Sequence, residues 1–180
     1  MTNGPISLEL AKEGSTPLFS NLLELYVHDL SEIFPVEIGA DGRFGYDRLP
    51  LYWSTPDKHF AFVIRIGDRP AGFVLVTRGS VASEDPDVLD VAEFFVLRSH
   101  RREGVGRRAA FLLWNRLPAH WIVRVSEAHP AGQRFWEATI RAYTGGAFST
   151  TTHAGKHHTF RVFSFKSDGT PVTSVFDGPP

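Results

Sequence analysis

A glutamate, a cluster of arginines and two glycines lie close together in the segment 93–109. An apolar run there leads into an arginine-rich loop, and Gly104 and Gly106 follow at the start of a stretch with helical spacing. Backbone N–H groups at such a turn converge on an anion, and the positive end of the helix dipole favours negative charge. Glycine, which has no Cβ, lets the oxygens of a ligand reach these amides. The segment therefore predicts a phosphate-binding turn.

Glu93 interrupts an otherwise apolar strand pattern. Buried glutamates are rare unless they have a partner or a task. Burial beside Phe94 and Phe95 is expected to raise the pKa of Glu93. A raised pKa suits a general base that takes a proton from an ammonium nucleophile, directly or through water. The alternative is a glutamate that pairs with an arginine or lies exposed at a sheet edge, and the sequence leaves both interpretations open.

The elements that must position these residues follow from apolar periodicity. Residues 1–16 are polar and are expected to be loose or to form a short edge strand. Helical spacing predicts helices over 17–34, 49–53, 104–117 and 130–143. Strand patterns cover 60–66, 71–77, 88–97, 121–125, 147–151 and 158–165. A turn at 67–70 makes the first two strands a hairpin.

This element order predicts an α/β (α+β) fold with a sheet of mixed strand direction, without the regular alternation of a doubly wound fold. We expect a single domain over residues 1–167 and a mobile tail over 168–180. The length of the whole chain, 180 residues, is typical of one domain that can bury a sizeable core.

Composition excludes several classes of function. The net charge of −1 gives no global field for nucleic acid. The absence of cysteine excludes disulfides, thiol nucleophiles and thiolate metal sites. His153, His157 and His158 flank a turn without a further ligand, so we expect no metal. We also expect no signal peptide and no membrane span, and hence a cytoplasmic protein.

Two nucleotide-binding motifs can be compared with the glycine turn. A P-loop requires Lys-Ser or Lys-Thr after its last glycine, whereas Arg107 and Arg108 follow Gly106. The dinucleotide fingerprint G-x-G-x-x-A is matched by residues 104–109, with Glu127 about 20 residues further on. However, residues 98–103 separate the turn from its strand, and the preceding strands form a hairpin pattern. The fingerprint is therefore the weaker interpretation.

The string Arg-Arg-Glu-Gly-Val-Gly at 101–106 resembles the acyl-CoA pyrophosphate loop of the GNAT acyltransferase superfamily, [R/Q]-x-x-G-x-[G/A]. Upstream, 92–96 resembles the fourth strand of that family. Downstream, 129–136 resembles its N-x-x-A-x-x-[LF]-Y helix start, with departures at His129, Gly132 and Trp136. Motif similarity extends from about Val88 to Tyr143, and the order of elements fits beyond it.

The resemblance implies a largely antiparallel, twisted sheet flanked by helices, in which strand 88–97 splays from strand 121–125 to form an acyl-CoA cleft. Pantetheine would bind main chain near Phe95, Val96 and Leu97, one of whose amides would polarise the thioester carbonyl. Either Arg101 or Arg102, together with Arg107, would lie near the nucleotide phosphates. The pyrophosphate would bind amides of the loop residues Arg102, Glu103, Gly104, Val105, Gly106 and Arg107.

At the second motif the resemblance implies CoA contacts from His129, Gly132, Phe135 and Trp136. Trp136 occupies the position at which many family members have a tyrosine that protonates the departing thiolate. An indole N–H is a hydrogen-bond donor but not a practical proton donor. Trp136 could instead pack against the pantetheine or the core, and Tyr143 or Ser126 could substitute as the acid.

The resemblance therefore predicts an acetyl-CoA-dependent N-acetyltransferase that acts on a small-molecule or peptide amine by direct attack in a ternary complex. Many family members are dimers, which makes a homodimer one expected assembly. The alternatives are a non-catalytic acyl-CoA sensor and an NAD(P)-dependent oxidoreductase that uses the fingerprint. We expect the first helix, residues 44–53 and the last hairpin to wall the acceptor site, with the aromatic residues Phe44, Tyr46, Tyr52 and Trp53.

Overall fold

A computed structural model describes residues 4–156 and 158–170. Four α-helices lie within this part of the chain: α1 (Thr16–Leu30), α2 (Leu51–Ser54), α3 (Val105–Arg116) and α4 (Pro130–Thr144). The strands are β1 (Ile6–Leu10), β2 (His59–Ile66), β3 (Arg69–Arg78), β4 (Leu89–Val96), β5 (His120–Ser126), β6 (Ser149–Ala154) and β7 (Thr159–Lys166). Short 3-10 turns precede α1 and follow β4.

The described strands form one sheet in the order β1-β2-β3-β4-β5-β7-β6. Every neighbouring pair is antiparallel except β4 and β5, which are parallel and are connected through α3. This arrangement confirms the predicted mixed, largely antiparallel sheet. It also accounts for the polar N-terminal pattern, because β1 is an edge strand on β2.

The sheet separates two apolar layers. On one face α3 and α4 pack against β-strand side chains, with Trp114 and Trp121 both fully buried. On the other face α1 and α2 cover β2, β3 and β4 through a cluster that includes Phe19 and Phe73. A smaller cluster around Ile122 lies on this second face beyond α1. The α1 face of β4 and β5 is therefore covered by α1 and α2 over only part of its width.

Two element boundaries differ from the prediction. Helix α1 ends at Leu30 instead of continuing to residue 34, because residues 31–34 fold back in tight turns on its last carbonyls. Strand β3 begins at Arg69, so the hairpin turn is Gly67-Asp68 alone, with Gly67 at φ +57°. Pro70 then lies inside β3, at a register shift opposite Arg65 where the missing N–H is tolerated. Of the predicted tail, residues 171–180 lie outside the described residues, as does His157.

Candidate active site

Strands β4 and β5 part soon after they begin. Their parallel pairing covers only Leu89–Val91 against Trp121–Val123, whereas β4 pairs with β3 along its whole length. Beyond Val91 and Val123 the strands diverge, one towards α3 and the other towards α4. The predicted splayed pair is confirmed, and a cleft opens between the carboxyl halves of the two strands.

Only alternate residues of β4 direct their main chain towards this cleft. The N–H of Leu97 donates to the carbonyl of Ala71 on the β3 side (2.8 Å). Hydrogen-bonding directions alternate along a strand, so Phe95 also faces β3 and Val96 faces the cleft. The carbonyl of Val96 accepts a hydrogen bond from Nε of Arg101 (2.7 Å). Of the three residues expected to bind pantetheine through their main chain, Phe95, Val96 and Leu97, only Val96 directs its N–H into the cleft.

The loop after β4 contains two residues with left-handed backbone. Gly104 caps α3 at φ +77°, and Arg102 has φ +65°. Left-handed positions turn successive N–H groups towards one point, which produces an anion-binding concavity beside the helix N-terminus. A Cβ on Gly104 would meet nothing within 4 Å, so its backbone angle is what requires glycine there.

Gly106 is required for a different reason from the one the sequence suggested. A Cβ at Gly106 would lie 3.1 Å from the ring of Phe135 and 3.6 Å from the ring of Phe94. Gly106 therefore lets α3 approach α4 and β4 closely. Val105 also serves packing, because its side chain is buried and only its main chain is available to a ligand.

The arginines of the loop divide into two groups. Arg98 and Arg101 both pair with Asp29 of α1, and Arg101 also lies over the ring of Phe95 at 5.5 Å. Arg102 and Arg107 are exposed and have no ion pair within residues 4–156 and 158–170. Arg101 is already committed to Asp29 and Val96, so Arg102 is the better placed of the two predicted alternatives, together with Arg107. Glu103 is also exposed.

Helix α4 begins at the end of β5. His129 occupies its N-cap position without a side-chain capping hydrogen bond. The ring of His129 instead lies against Gly132, where a Cβ would be 2.7 Å from Nδ1. Burial lowers the pKa of His129, and the nearby charge of Arg101 lowers it further. His129 therefore lies within the electrostatic influence of Arg101.

The aromatic residues of α4 form the floor under β4. Trp136 is 7% exposed, and its ring centroid lies 4.9 Å from that of Phe94 and 6.3 Å from that of Trp114. Phe135 contacts Phe94 with a centroid separation of 5.9 Å. Of the interpretations open for Trp136, this position favours packing within the core beneath the cleft.

Tyr143 lies near the end of α4. Its hydroxyl donates to Oδ1 of Asn115 in the last turn of α3 (2.9 Å), and its ring packs on Trp114. Burial raises the pKa of Tyr143. The α3 N-terminus, not its last turn, borders the cleft, so the position of Tyr143 favours packing over proton donation to a thiolate. Ser126 is buried at the end of β5, where its Oγ accepts from the N–H of Ala128.

Glu93 lies on the α1 face of β4 at an irregularity in the strand. Leu75 pairs with Glu93 and Val76 pairs with Val91, so Ala92 is an extra residue that forms a β-bulge. The bulge redirects the following side chain and places Glu93 on the same face as Asp90. Such bulges commonly re-aim a side chain beside an active site.

Two tyrosine hydroxyls donate to the carboxylate of Glu93. The Tyr26 hydroxyl lies 2.5 Å from Oε2, and the Tyr46 hydroxyl lies 3.0 Å from Oε1. Tyr52 lies close enough for the charge of Glu93 to raise its pKa. Burial raises the pKa of Glu93, although the two tyrosine hydrogen bonds oppose the rise. Glu93 thus has partners, but they are tyrosines and not the arginine of the alternative interpretation.

The tyrosines themselves remain protonated at neutral pH. Burial raises the pKa of Tyr26, and the charge of Glu93 raises it further. The same two causes raise the pKa values of Tyr46 and Tyr52. Sequence reasoning missed Tyr26 because its helical spacing identified it only as a core position, and it placed Tyr46 only among aromatic wall residues. The structure instead brings both to Glu93.

The other aromatic residues expected to wall the acceptor site fall into two groups, one in the core and one outside it. Tyr52 is 4% exposed, and Trp53 stacks edge-on against Phe19 at 5.8 Å, so both belong to the core under α1. Phe44 lies beside His28 at 6.3 Å, and its N–H donates to Glu24. Core packing thus explains Tyr52 and Trp53, whereas Tyr46 contacts Glu93 and Phe44 lies against α1.

Two kinds of feature are absent from the described part of the chain. Within 4–156 and 158–170, no helix is long and apolar enough to cross a membrane. Over the same ranges, no group of three or more His, Asp or Glu side chains has an arrangement that holds a metal ion.

Comparison with known proteins identifies the fold. A sequence model of the acetyltransferase (GNAT) family matches residues 21–139, about two thirds of the chain. No curated protein matches the sequence. Among solved structures, an acetyltransferase from Thermus thermophilus is similar with a TM-score of 0.66 and 17% identity, over 92% of this chain and 99% of the other.

Two further structural neighbours are described as complexes with coenzyme A. The aminoglycoside acetyltransferase AAC(6')-Ib has a TM-score of 0.65 and 12% identity, over 92% of this chain and 96% of the other. Spermidine N-acetyltransferase from Vibrio cholerae, whose complex also contains spermine, has a TM-score of 0.60 and 13% identity. The match covers 90% of this chain and 95% of the other. At these identities the likeness establishes the fold.

Proposed function

This chain belongs to the acetyltransferase (GNAT) family, and we propose that it transfers the acetyl group of acetyl-CoA to an amine by direct attack in a ternary complex. The observation that carries the proposal is the position of Glu93, which two tyrosines hold beside the cleft that begins where β4 and β5 part. The chain has no cysteine, so it offers no thiol for an S-acyl intermediate. In the proposal both substrates are bound at once.

The cofactor end of the cleft supplies main-chain donors. In this proposal the amides from Arg102 to Arg107 hold the pyrophosphate, and the exposed Arg102 and Arg107 side chains lie near the nucleotide phosphates. The N–H of Val96 faces the cleft and would polarise the thioester carbonyl as negative charge develops on its oxygen. In this proposal His129, at the N-terminus of α4 beyond the end of β5, contacts the pantetheine.

The acceptor end supplies the base. The acceptor amine loses its proton to the carboxylate of Glu93, directly or through water, and the amine nitrogen attacks the thioester carbon. The C–N bond forms, the C–S bond breaks, and the CoA thiolate leaves. Burial raises the pKa of Glu93 towards the working pH, which is favourable for a general base.

The departing thiolate needs no enzymic acid in this proposal. An indole N–H is not a practical proton donor, and Trp136 is buried among aromatic rings. A thiol pKa of about 8.5 makes the thiolate a modest base that can leave and then take a proton from solvent. This assigns Trp136 to the floor of the cleft rather than to proton transfer.

A panel of amines tests the proposed function, with acetyl-CoA as donor and CoA release as readout. The panel contains amino acids, polyamines, aminoglycosides and peptide N-termini. Aminoglycosides and spermidine are included because two structural neighbours are named for them. We expect amine-dependent CoA release that Glu93→Gln abolishes. A protein that binds acetyl-CoA, turns over no amine, and binds acetyl-CoA equally well after Glu93→Gln would instead be a non-catalytic acyl-CoA sensor.

The fold counts against the dinucleotide-dependent alternative. The sheet is mostly antiparallel, and a 3-10 turn separates Gly104 from β4. Titration with NADH and NADPH provides the direct check, and neither is expected to bind. A homodimer, a single domain over residues 1–167 and a peptide amine as acceptor stay predictions.

A further inference from the structure

Arg124 lies beside Glu93 on the neighbouring strand. Val91 and Val123 form the last pair before β4 and β5 diverge, and Arg124 is the next residue of β5. Val123 and Val125 are buried under α3 and α4, so Arg124 projects from the opposite face. That is the face on which Tyr26 of α1 meets Glu93. A guanidinium and the proposed base therefore project together where the cleft begins.

The side chain of Arg124 is held in place by a buried aspartate. Its Nε donates to Oδ2 of Asp90 (2.6 Å), which also accepts from Oγ of Ser80 (2.5 Å). Asp90 is fully buried, and its Oδ1 has no hydrogen-bond partner within the described residues. The guanidinium carbon of Arg124 lies 5.8 Å from the centre of the Phe160 ring on the last hairpin. These contacts fix the orientation of the guanidinium before any ligand arrives.

The outer edge of this guanidinium is unused. In the part of the chain that the structure describes, Arg124 donates its hydrogen bond through Nε, and none from Nη1 or Nη2 is found, although the side chain is only 23% exposed. Arginine presents these donors as a planar fork that matches a carboxylate in a bidentate geometry. A preoriented, partly buried fork with free donors is suited to binding an anionic group.

The charges around Glu93 suit an acceptor that carries one positive and one negative group. Arg124 and Arg48 are both near enough for their charges to act on Glu93. Asp90 is engaged by Arg124, which leaves Glu93 and the exposed Arg48 as the remaining opposite charges of this group. A polyamine such as spermidine requires several carboxylates to balance its charge. Among the described residues, the largest charge effects on Glu93 come from Arg124 and Arg48, and none of these comes from a second carboxylate.

Resting on the proposed acetyl transfer, we propose that the acceptor is an amino acid, whose carboxylate binds the Nη fork of Arg124 while its amine faces Glu93. Arg124 is then a substrate-binding and specificity-determining residue. It would orient the amine and reject acceptors that lack the carboxylate, because they leave the fork without a partner.

The test compares acceptors that differ only in the carboxylate. Phenylalanine, leucine, glutamate and lysine are each assayed beside the corresponding amide and the decarboxylated amine, with acetyl-CoA as donor and CoA release as readout. For the best amino acid we expect kcat/KM at least about 10-fold above that of its amide and its amine, since a bidentate charge-assisted pair is lost in both. Equal or faster turnover of amides and amines across the panel would overturn the proposal.

Variants separate binding from structure. Arg124→Gln is expected to lose the preference for the carboxylate while still acetylating the amide. Arg161→Gln is the matched control, because Arg161 lies on the adjacent strand but pairs with Glu137 of α4 on the opposite face. It should keep the preference. An equal loss for acids and amides in Arg124→Gln would mean that Arg124 is only structural, and would overturn the assignment.

Folding is controlled by a double variant. Arg124→Gln leaves Asp90 as a buried charge without its cation, so Asp90→Asn/Arg124→Gln is prepared alongside it. A double variant that binds acetyl-CoA normally and shows no carboxylate preference supports the proposal, whereas a retained preference contradicts it. If none of the acids, amides or amines causes CoA release, the proposed acetyl transfer itself fails. If CoA is released but amino acids are not preferred over their amides and amines, only the proposed amino-acid acceptor is refuted.

Discussion

The cofactor loop and the surroundings of Glu93 are built in opposite ways. The loop is a single run of residues, 98–107, in which backbone angles and exposed arginines provide the binding groups. The Glu93 site combines side chains from α1, the loop before α2 and β4, and the two tyrosines are 67 and 47 residues from Glu93 along the chain. Backbone groups can bind a ligand through a short local motif. A base with a shifted pKa instead depends on side chains that only the whole fold brings together.

One helix contacts both regions. Tyr26 of α1 donates to Glu93, and Asp29, one turn later, pairs with Arg98 and Arg101 at the start of the loop. The two regions are thus connected through a short stretch of α1. Variants that act on one region alone, or on the connection between them, test whether the regions have separate roles.

The largest expected effect comes from Glu93→Gln, which removes the base and keeps the size of the side chain. We expect kcat to fall by about 100- to 10,000-fold, the range for loss of a general base, with the Kd of acetyl-CoA unchanged within about twofold. Steady-state kinetics and isothermal titration measure the two quantities. Glu137→Gln is the control, because Glu137 is a half-buried glutamate of α4 that pairs with Arg161, and this variant should retain kcat. Equal losses in both variants would contradict a catalytic role.

The complementary change is Gly104→Glu in the cofactor loop. A carboxylate there repels the pyrophosphate, and the left-handed backbone resists any side chain. We expect the Kd of acetyl-CoA to rise at least about 100-fold. Gly145→Glu is a close control, because Gly145 also has a positive φ and open space around a Cβ but lies at the end of α4. Matching losses of affinity would show that backbone strain, and not the loop, is responsible.

A smaller effect is expected from Tyr26→Phe. The Tyr26 hydrogen bond stabilises the charged carboxylate, so its loss raises the pKa of Glu93 further. The acid limb of the pH profile of kcat/KM should move to higher pH, and kcat/KM at neutral pH should fall about 10-fold. Tyr143→Phe loses a hydroxyl hydrogen bond to Asn115 and should leave the profile unchanged. An unshifted profile in Tyr26→Phe would mean that Glu93 does not set the acid limb.

The smallest effect concerns the connection through Asp29. Burial alone would raise the pKa of Asp29, but hydrogen bonds from Arg101 and Arg98 lower it overall. The stabilisation is present above the ordinary aspartate pKa of the unfolded chain and is lost as pH falls through the lowered folded value. The arginines are 40% and 60% exposed, so we expect Asp29→Asn to cost about 1 kcal/mol at neutral pH. Urea unfolding at neutral and acidic pH measures the difference in free energy of unfolding between the two proteins. A difference that does not change with pH would exclude the ion pairs as its cause.

Much of the fold was predictable because its signals are local. The helix over 104–117, the hairpin over 60–77 and the order of elements follow from periodicity and turn residues, and the structure reproduces them within a few residues. The main differences arose where tertiary contacts decided the boundary, as at Pro70, which is tolerated inside β3 only because the register shifts there.

The candidate site was predictable only in part, for physical reasons. Glu93 could be singled out because a carboxylate within an apolar strand is costly. Its partners could not, because Tyr26 and Tyr46 have the spacing and composition of ordinary packing residues. The bulge at Ala92 and the commitment of Arg101 to Asp29 likewise depend on pairings across the chain that no local pattern specifies.

A crystal structure of the protein with CoA tests the central claim most directly. The account predicts the pyrophosphate within hydrogen-bonding distance of the amides of residues 102–107. It also predicts the pantetheine between β4 and β5, and the sulfur on the same face of β4 as Glu93. CoA bound elsewhere, or with its sulfur directed to the α3 and α4 face away from Glu93, would contradict the claim that the loop and Glu93 form one active site.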